Sequence, residues 1–118
     1  MDVWEVAALG GSPRKVMLNG TDPAWTPDGH SLIYENYADG EIWICGVSGE
    51  NPSLLVRMKP DEVATEVRTS PNSKMVAIAV RSSGGGPIGK LGVADLSSGK
   101  VRLLTTGQRN YAFARLVA

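Results

Sequence analysis

Thr21-Asp-Pro-Ala-Trp-Thr-Pro-Asp-Gly-His-Ser-Leu-Ile-Tyr-Glu-Asn36 decides the fold, because it recurs at a constant offset of 44 as Thr65-Glu-Val-Arg-Thr-Ser-Pro-Asn-Ser-Lys-Met-Val-Ala-Ile-Ala-Val80. In the first copy Pro27 presets φ, Asp28 can bond its own backbone, and Gly29 tolerates positive φ, which together make a tight turn. The strand-like run Ser31-Leu-Ile-Tyr-Glu follows that turn, as Met75-Val-Ala-Ile-Ala-Val80 follows the second. Pro71 matches Pro27, while Asn72-Ser73 supplies the same turn with weaker residues.

Outward from this pair the self-similarity continues. Asp2-Val-Trp-Glu-Val-Ala-Ala-Leu-Gly-Gly-Ser-Pro-Arg-Lys-Val-Met17 lies on Glu41-Ile-Trp-Ile-Cys-Gly-Val-Ser-Gly-Glu-Asn-Pro-Ser-Leu-Leu-Val56 at an offset of 39, so that Trp4 meets Trp43. Gly40-Glu-Ile-Trp-Ile lies on Gly89-Lys-Leu-Gly-Val at an offset of 49. The offset grows twice by five residues, at 57–64 and at 81–89, and both additions are expected in connections between strands. Four short strands per period of roughly 40 residues, labelled a to d, is the composition of a propeller blade. The chain is thus all-β, a single partial propeller over residues 1–118. Residues 2–17 give strands c and d of blade 1, 21–56 blade 2, 65–105 blade 3, and 110–118 the first strand or strands of blade 4.

Composition agrees. The 118 residues hold 14 Gly and 7 Pro, favouring many turns over long helices. A single cysteine, Cys45, excludes an intrachain disulfide and a thiolate metal cluster, and within an apolar strand it reads as a small buried hydrophobe. No apolar run reaches the roughly 18 residues of a membrane span, so a soluble chain with no membrane partner is expected, periplasmic or cytoplasmic, any export signal lying outside it. Twelve basic and twelve acidic residues cancel, which argues against nucleic acid as a partner. The cancellation hides an asymmetry: residues 1–66 hold eleven acids and four bases, a balance of −7, and residues 67–118 hold eight bases and one acid, a balance of +7.

Asp22-Pro-Ala-Trp-Thr-Pro-Asp-Gly29, Glu41-Ile-Trp-Ile44, Gly10-Gly-Ser-Pro-Arg-Lys-Val16 and Arg102-Leu-Leu-Thr105 together resemble the TolB-type, WD-like β-propeller repeat over essentially the whole chain. The third copy departs from the pattern, with Thr69 in place of Trp25 and no glycine in its turn. The resemblance implies a ring of six or seven blades, and about three blades have too little circumference to close. Two outcomes stay open: the chain is part of a longer propeller, or two copies complete a six-bladed ring by exchanging strands between their termini. The opposite charges of the two halves suit such a head-to-tail homodimer.

Catalytic motifs are expected to be absent. Gly84-Gly-Gly-Pro-Ile-Gly-Lys90 has the spacing of a phosphate loop, but Leu91 stands where the hydroxyl residue belongs and a strand follows in place of a helix. Gly46-Val-Ser-Gly-Glu50 lacks the last glycine of a nucleophile elbow, and the one histidine, His30, sits beside a turn. Neither a metal site nor a cofactor is expected, and Glu35 and Asp39 read as a solvated hairpin rim. Asp22, Pro23, Trp25, Pro27, Asp28, Gly29, Pro71, Asn72, Trp4 and Trp43 read as blade architecture, the tryptophans as packing between blades. Arg57, Lys59, Asp61, Arg81, Gly85, Pro87 and Lys90, in the long connections, are the candidate binding residues, with Asp39 and Arg109 as rim charges. The functional expectation is a non-catalytic scaffold for protein or ligand binding. The alternative is a piece of the propeller of a larger protein: a prolyl-oligopeptidase-like peptidase, a sugar lyase, or a kinase or transcription-regulator fusion.

Overall fold

The computed structural model describes residues 2–17, 19–36, 38–84, 89–98 and 100–103. Ten strands and no helix are present among them: β1 (Val3–Glu5), β2 (Arg14–Met17), β3 (Gly20–Trp25), β4 (Ser31–Asn36), β5 (Ile42–Gly46), β6 (Ser53–Val56), β7 (Glu62–Thr69), β8 (Met75–Ser82), β9 (Lys90–Asp95) and β10 (Val101–Leu103). They form a two-stranded sheet β1-β2 and two four-stranded antiparallel meanders, β3-β4-β5-β6 and β7-β8-β9-β10. These are the half-blade and two full blades of a partial propeller. The strand expected near 110–114 lies outside the described residues.

Alternation along each strand assigns side chains to one of two layers. On β4, Leu32 and Tyr34 join Val3, Val16 and Cys45 in a cluster between blades 1 and 2. Ile33, one residue away, joins Ile42, Val56, Ala64, Val67, Val76, Ile78, Val80 and Ala94 between blades 2 and 3. Each blade is therefore two-faced, and its stability comes from its neighbours, as in other quasi-one-dimensional repeat architectures.

The turns repeat bond for bond. In blade 2 the Thr26 hydroxyl donates to Asp28 Oδ1 at 2.6 Å, the Ser31 N–H donates to Thr26 Oγ1 at 3.0 Å, and the His30 N–H donates to Asp28 Oδ1 at 2.9 Å. Ser70, Met75, Asn72 and Lys74 reproduce all three, at 2.7, 3.0 and 3.0 Å. The blade 3 turn is thus no weaker in its bonding. Ser73 takes the left-handed place of Gly29, with φ 60 against 77, and its hydroxyl accepts the Asp28 N–H of the preceding turn at 3.1 Å. This bond offsets the steric cost of a side chain at positive φ.

Three expectations change. The two five-residue additions are not confined to connections: Glu62 and Val63 pair with Ser82 and Arg81, two rungs beyond the Ala64–Val80 pair that is equivalent to Gly20–Asn36. Arg81 is consequently a strand residue, in β8, and Asp61 directly precedes β7. The ladder continues one step further, since the Ser83 N–H donates to the Asp61 carbonyl at 2.9 Å.

Second, the tryptophans differ. Trp43 is partly buried against the first cluster, but Trp4 and Trp25 stand 55% and 44% exposed. Val3 takes the inward place on β1, so Trp4 faces the side where no described blade lies, with the Lys15 ammonium 5.2 Å from its ring centroid. Third, Glu35 is half-buried rather than a solvated rim residue.

Candidate functional site

The two extra rungs of the β7–β8 hairpin rise on the side of the blades that carries the β4–β5 turn and the β6–β7 connection. The turn leans on them: the Ala64 N–H donates to the Gly40 carbonyl at 3.0 Å. Gly40 has φ 69, and a Cβ there would lie 2.6 Å from Val63 Cγ1, so only glycine brings the turn this close. Between turn, connection and hairpin lies a cleft of about 540 Å³. It brings together Glu35, Asp39, Glu41, Arg57, Lys59 and Arg81. A smaller, largely apolar hollow of about 220 Å³ adjoins it, lined by Val56, Met58, Ile78, Val80 and Val101. Arg57, Lys59 and Glu62 border both.

Three carboxylates of this region are committed locally. Glu41 Oε2 accepts the Met58 N–H at 2.7 Å and so fixes the connection. Asp39 Oδ1 accepts the Glu41 N–H at 2.9 Å within the turn. Glu62 pairs with Lys90 Nζ at 2.8 Å, and this contact raises the lysine's pKa. Burial, with a lesser push from the Asp22 charge, lifts Glu35 to about 7, the nearby Arg81 pulling the other way. The side chains of Arg57, Lys59 and Arg81 are exposed and make no hydrogen bond or ion pair among the described residues, the charge of Arg81 acting on Glu35 from a distance.

Of the residues picked from the sequence, Arg57, Lys59 and Arg81 thus meet in one cleft. Lys90 lies at the neighbouring hollow and is neutralised by Glu62, Asp61 sits at the base of the hairpin, and Gly85 and Pro87 lie outside the described residues. His30 is exposed and Cys45 buried. Among the described residues no group of three or more His, Cys, Asp or Glu side chains is placed to hold a metal ion.

Glu35 makes the fold pH-sensitive. Its proton is held more tightly folded than unfolded, so its contribution is full below pH 4.5, declines as pH rises toward 7, and is constant above. Discounted for partial exposure, the decline amounts to about 1–2 kcal/mol. Glu35→Gln is expected to flatten this slope and to exceed the parent in stability at pH 8 by that amount, read from urea melts at pH 5 and pH 8.

No protein-family model matches the chain, and no curated protein matches it. Solved structures do. It is similar to TolB of Agrobacterium tumefaciens, with a TM-score of 0.76 at 16% identity over 92% of this chain and 43% of that one. TolB of Acinetobacter baumannii aligns with a TM-score of 0.75 at 21% identity, over 97% of this chain and 29% of that one. An oligogalacturonate lyase in complex with manganese aligns with a TM-score of 0.73 at 8% identity, over 90% and 34%. The chain has a TolB-type β-propeller fold and spans less than half the length of each of these structures.

Proposed function

We propose that the chain is a non-catalytic propeller scaffold whose cleft between blades 2 and 3 binds an acidic segment of a partner protein, with an apolar side chain of that segment in the adjoining hollow. The observation that carries this is the imbalance of side-chain commitments: the carboxylates Glu41, Asp39 and Glu62 are engaged within the fold, whereas the side chains of Arg57, Lys59 and Arg81 make no hydrogen bond or ion pair among the described residues, and Glu35 alone opposes them with a half-buried carboxyl. Exposed cations at the mouth of an apolar hollow favour a partner with acids flanking an apolar anchor.

A fluorescein-labelled peptide alternating Glu and Leu, and its Lys/Leu counterpart, test this by anisotropy. The acidic peptide is expected to bind and the basic one not. Arg57→Glu with Arg81→Glu is expected to weaken binding by tenfold or more, an effect that shrinks as salt rises. Equal binding of both peptides, or no loss in the double variant, overturns the reading.

Self-association is the second part of the proposal. Among the described strands β1 has only β2 as a partner, whereas its counterpart β5 is paired on both sides, and exposed Trp4 stands where Trp43 is partly covered. A second copy, contributing strands a and b, would fill both gaps. A solution mass near twice 12.5 kDa is expected; a stable monomer rejects this part and leaves the cleft untouched.

A further inference from the structure

Glu35 lies two residues after Ile33 on β4 and so faces the same layer between blades 2 and 3. Its backbone is paired on both sides, opposite Thr21 on β3 and Ile42 on β5. The ladder thus fixes where the carboxyl enters the cleft, half-buried and with no hydrogen bond to its side chain among the described residues.

The other acids around it are held within the fold. From β3, Asp22 Oδ2 accepts the Glu66 N–H at 2.7 Å. From the β4–β5 turn, Asp39 and Glu41 accept main-chain N–H groups, and from β7, Glu62 is matched by Lys90. The cations come from the β6–β7 connection, Arg57 and Lys59, and from β8, Arg81. Within the cleft these three cations face Asp39 and Glu41, so the lining carries one net positive charge while Glu35 is protonated and none once it ionises. That change falls near neutrality, because burial holds the Glu35 proton up to about 7.

We infer that Glu35 is the proton-operated control of this cleft: its neutral form leaves the cations free for an acidic segment, and its carboxylate cancels their excess and releases the segment. The inference rests on the cleft being the site of an acidic segment. Linkage makes the effect reciprocal, since a segment that prefers the protonated form also raises the proton affinity of Glu35.

Binding of an unlabelled peptide alternating Glu and Leu, measured by calorimetry on the full-length chain between pH 6 and pH 8, tests it. In the parent the Kd is expected to rise about tenfold across that range. Glu35→Gln is expected to hold the pH 6 affinity throughout, and it reads out any titration of the peptide or of other groups. A second measurement uses the parent alone: the titration midpoint of the Glu35 carboxyl, followed by ¹³C NMR, is expected to move up by about one pH unit when the peptide is bound. A flat profile in the parent, a profile that Glu35→Gln shares, or a midpoint that the peptide leaves in place overturns the inference while the cleft remains a site for acidic segments. Absence of binding at both pH 6 and pH 8 overturns the site itself, and the inference with it.

Discussion

Gly49→Ala is expected to destabilise the chain by about 3–4 kcal/mol, whereas Gly10→Ala, at the equivalent position of the preceding half-blade, costs about 1–2 kcal/mol. Both glycines have positive φ, 84 and 103, so both variants carry the backbone penalty of an L residue there. Only Gly49 is crowded: its Cβ would lie 2.1 Å from the Val16 carbonyl oxygen, where nothing stands within 4 Å of the Cβ position at Gly10. That carbonyl is backbone, on β2, and cannot rotate away. The β5–β6 turn would have to lift from blade 1, loosening the cluster of Val3, Val16 and Leu32. Urea midpoints measure the pair, with the slope unchanged if both transitions stay two-state. Equal losses would mean that blade 1 moves freely and is not seated on this turn.

Leu32→Ala and Ile33→Ala, each removing a side chain with 0% exposure, are expected to cost about 3 kcal/mol apiece through lost burial and the cavity left behind. Though adjacent in sequence they act in different places. Leu32 belongs to the layer between blades 1 and 2, Ile33 to the layer between blades 2 and 3. Leu32→Ala should therefore speed amide exchange in β1 and β2 and spare β8, and Ile33→Ala the reverse. Because the two share no cluster, the double variant should add to within about 0.5 kcal/mol. A large coupling, or identical exchange patterns, would show that the blades melt as one block.

What the sequence revealed and what it hid separate by the range of the interactions. The turns at 26–29 and 70–73 were legible because Thr26 with Asp28, and Ser70 with Asn72, bond within six residues, and short-range chemistry leaves a motif. The extra rungs were not legible. Glu62 and Ser82 have little strand propensity of their own, and they pair only because the ladder already formed between Ala64 and Val80 extends outward to them. Arg81, placed in a connection because the repeat offset grows at 81–89, lies in a strand for that reason.

Glu35 was missed from the other direction. A glutamate beside a hairpin end is ordinarily solvated, but Glu35 shares its cleft with the 57–60 connection, Val63 and Arg81, which the sequence does not place beside β4. Trp4 and Trp25 show the limit of repeat logic: equivalent positions share a backbone, but the cover over each side chain depends on which blades flank it. Ser73 was undervalued because the hydroxyl's partner, the Asp28 N–H, lies 45 residues away.

The two added rungs of the β7–β8 hairpin bear on stoichiometry. A ring of near-identical blades repeats the same groove at every junction and would take up as many copies of a partner as it has junctions. Blade 2's hairpin stops at Gly20–Asn36 and blade 3's runs on to Glu62–Ser82, so the rim has a step at this junction that the junction before it lacks. The wall carrying Arg81 exists only at that step. The partner proposed above would find a single address along the described chain, and at that junction the pseudo-symmetry of the blades is broken.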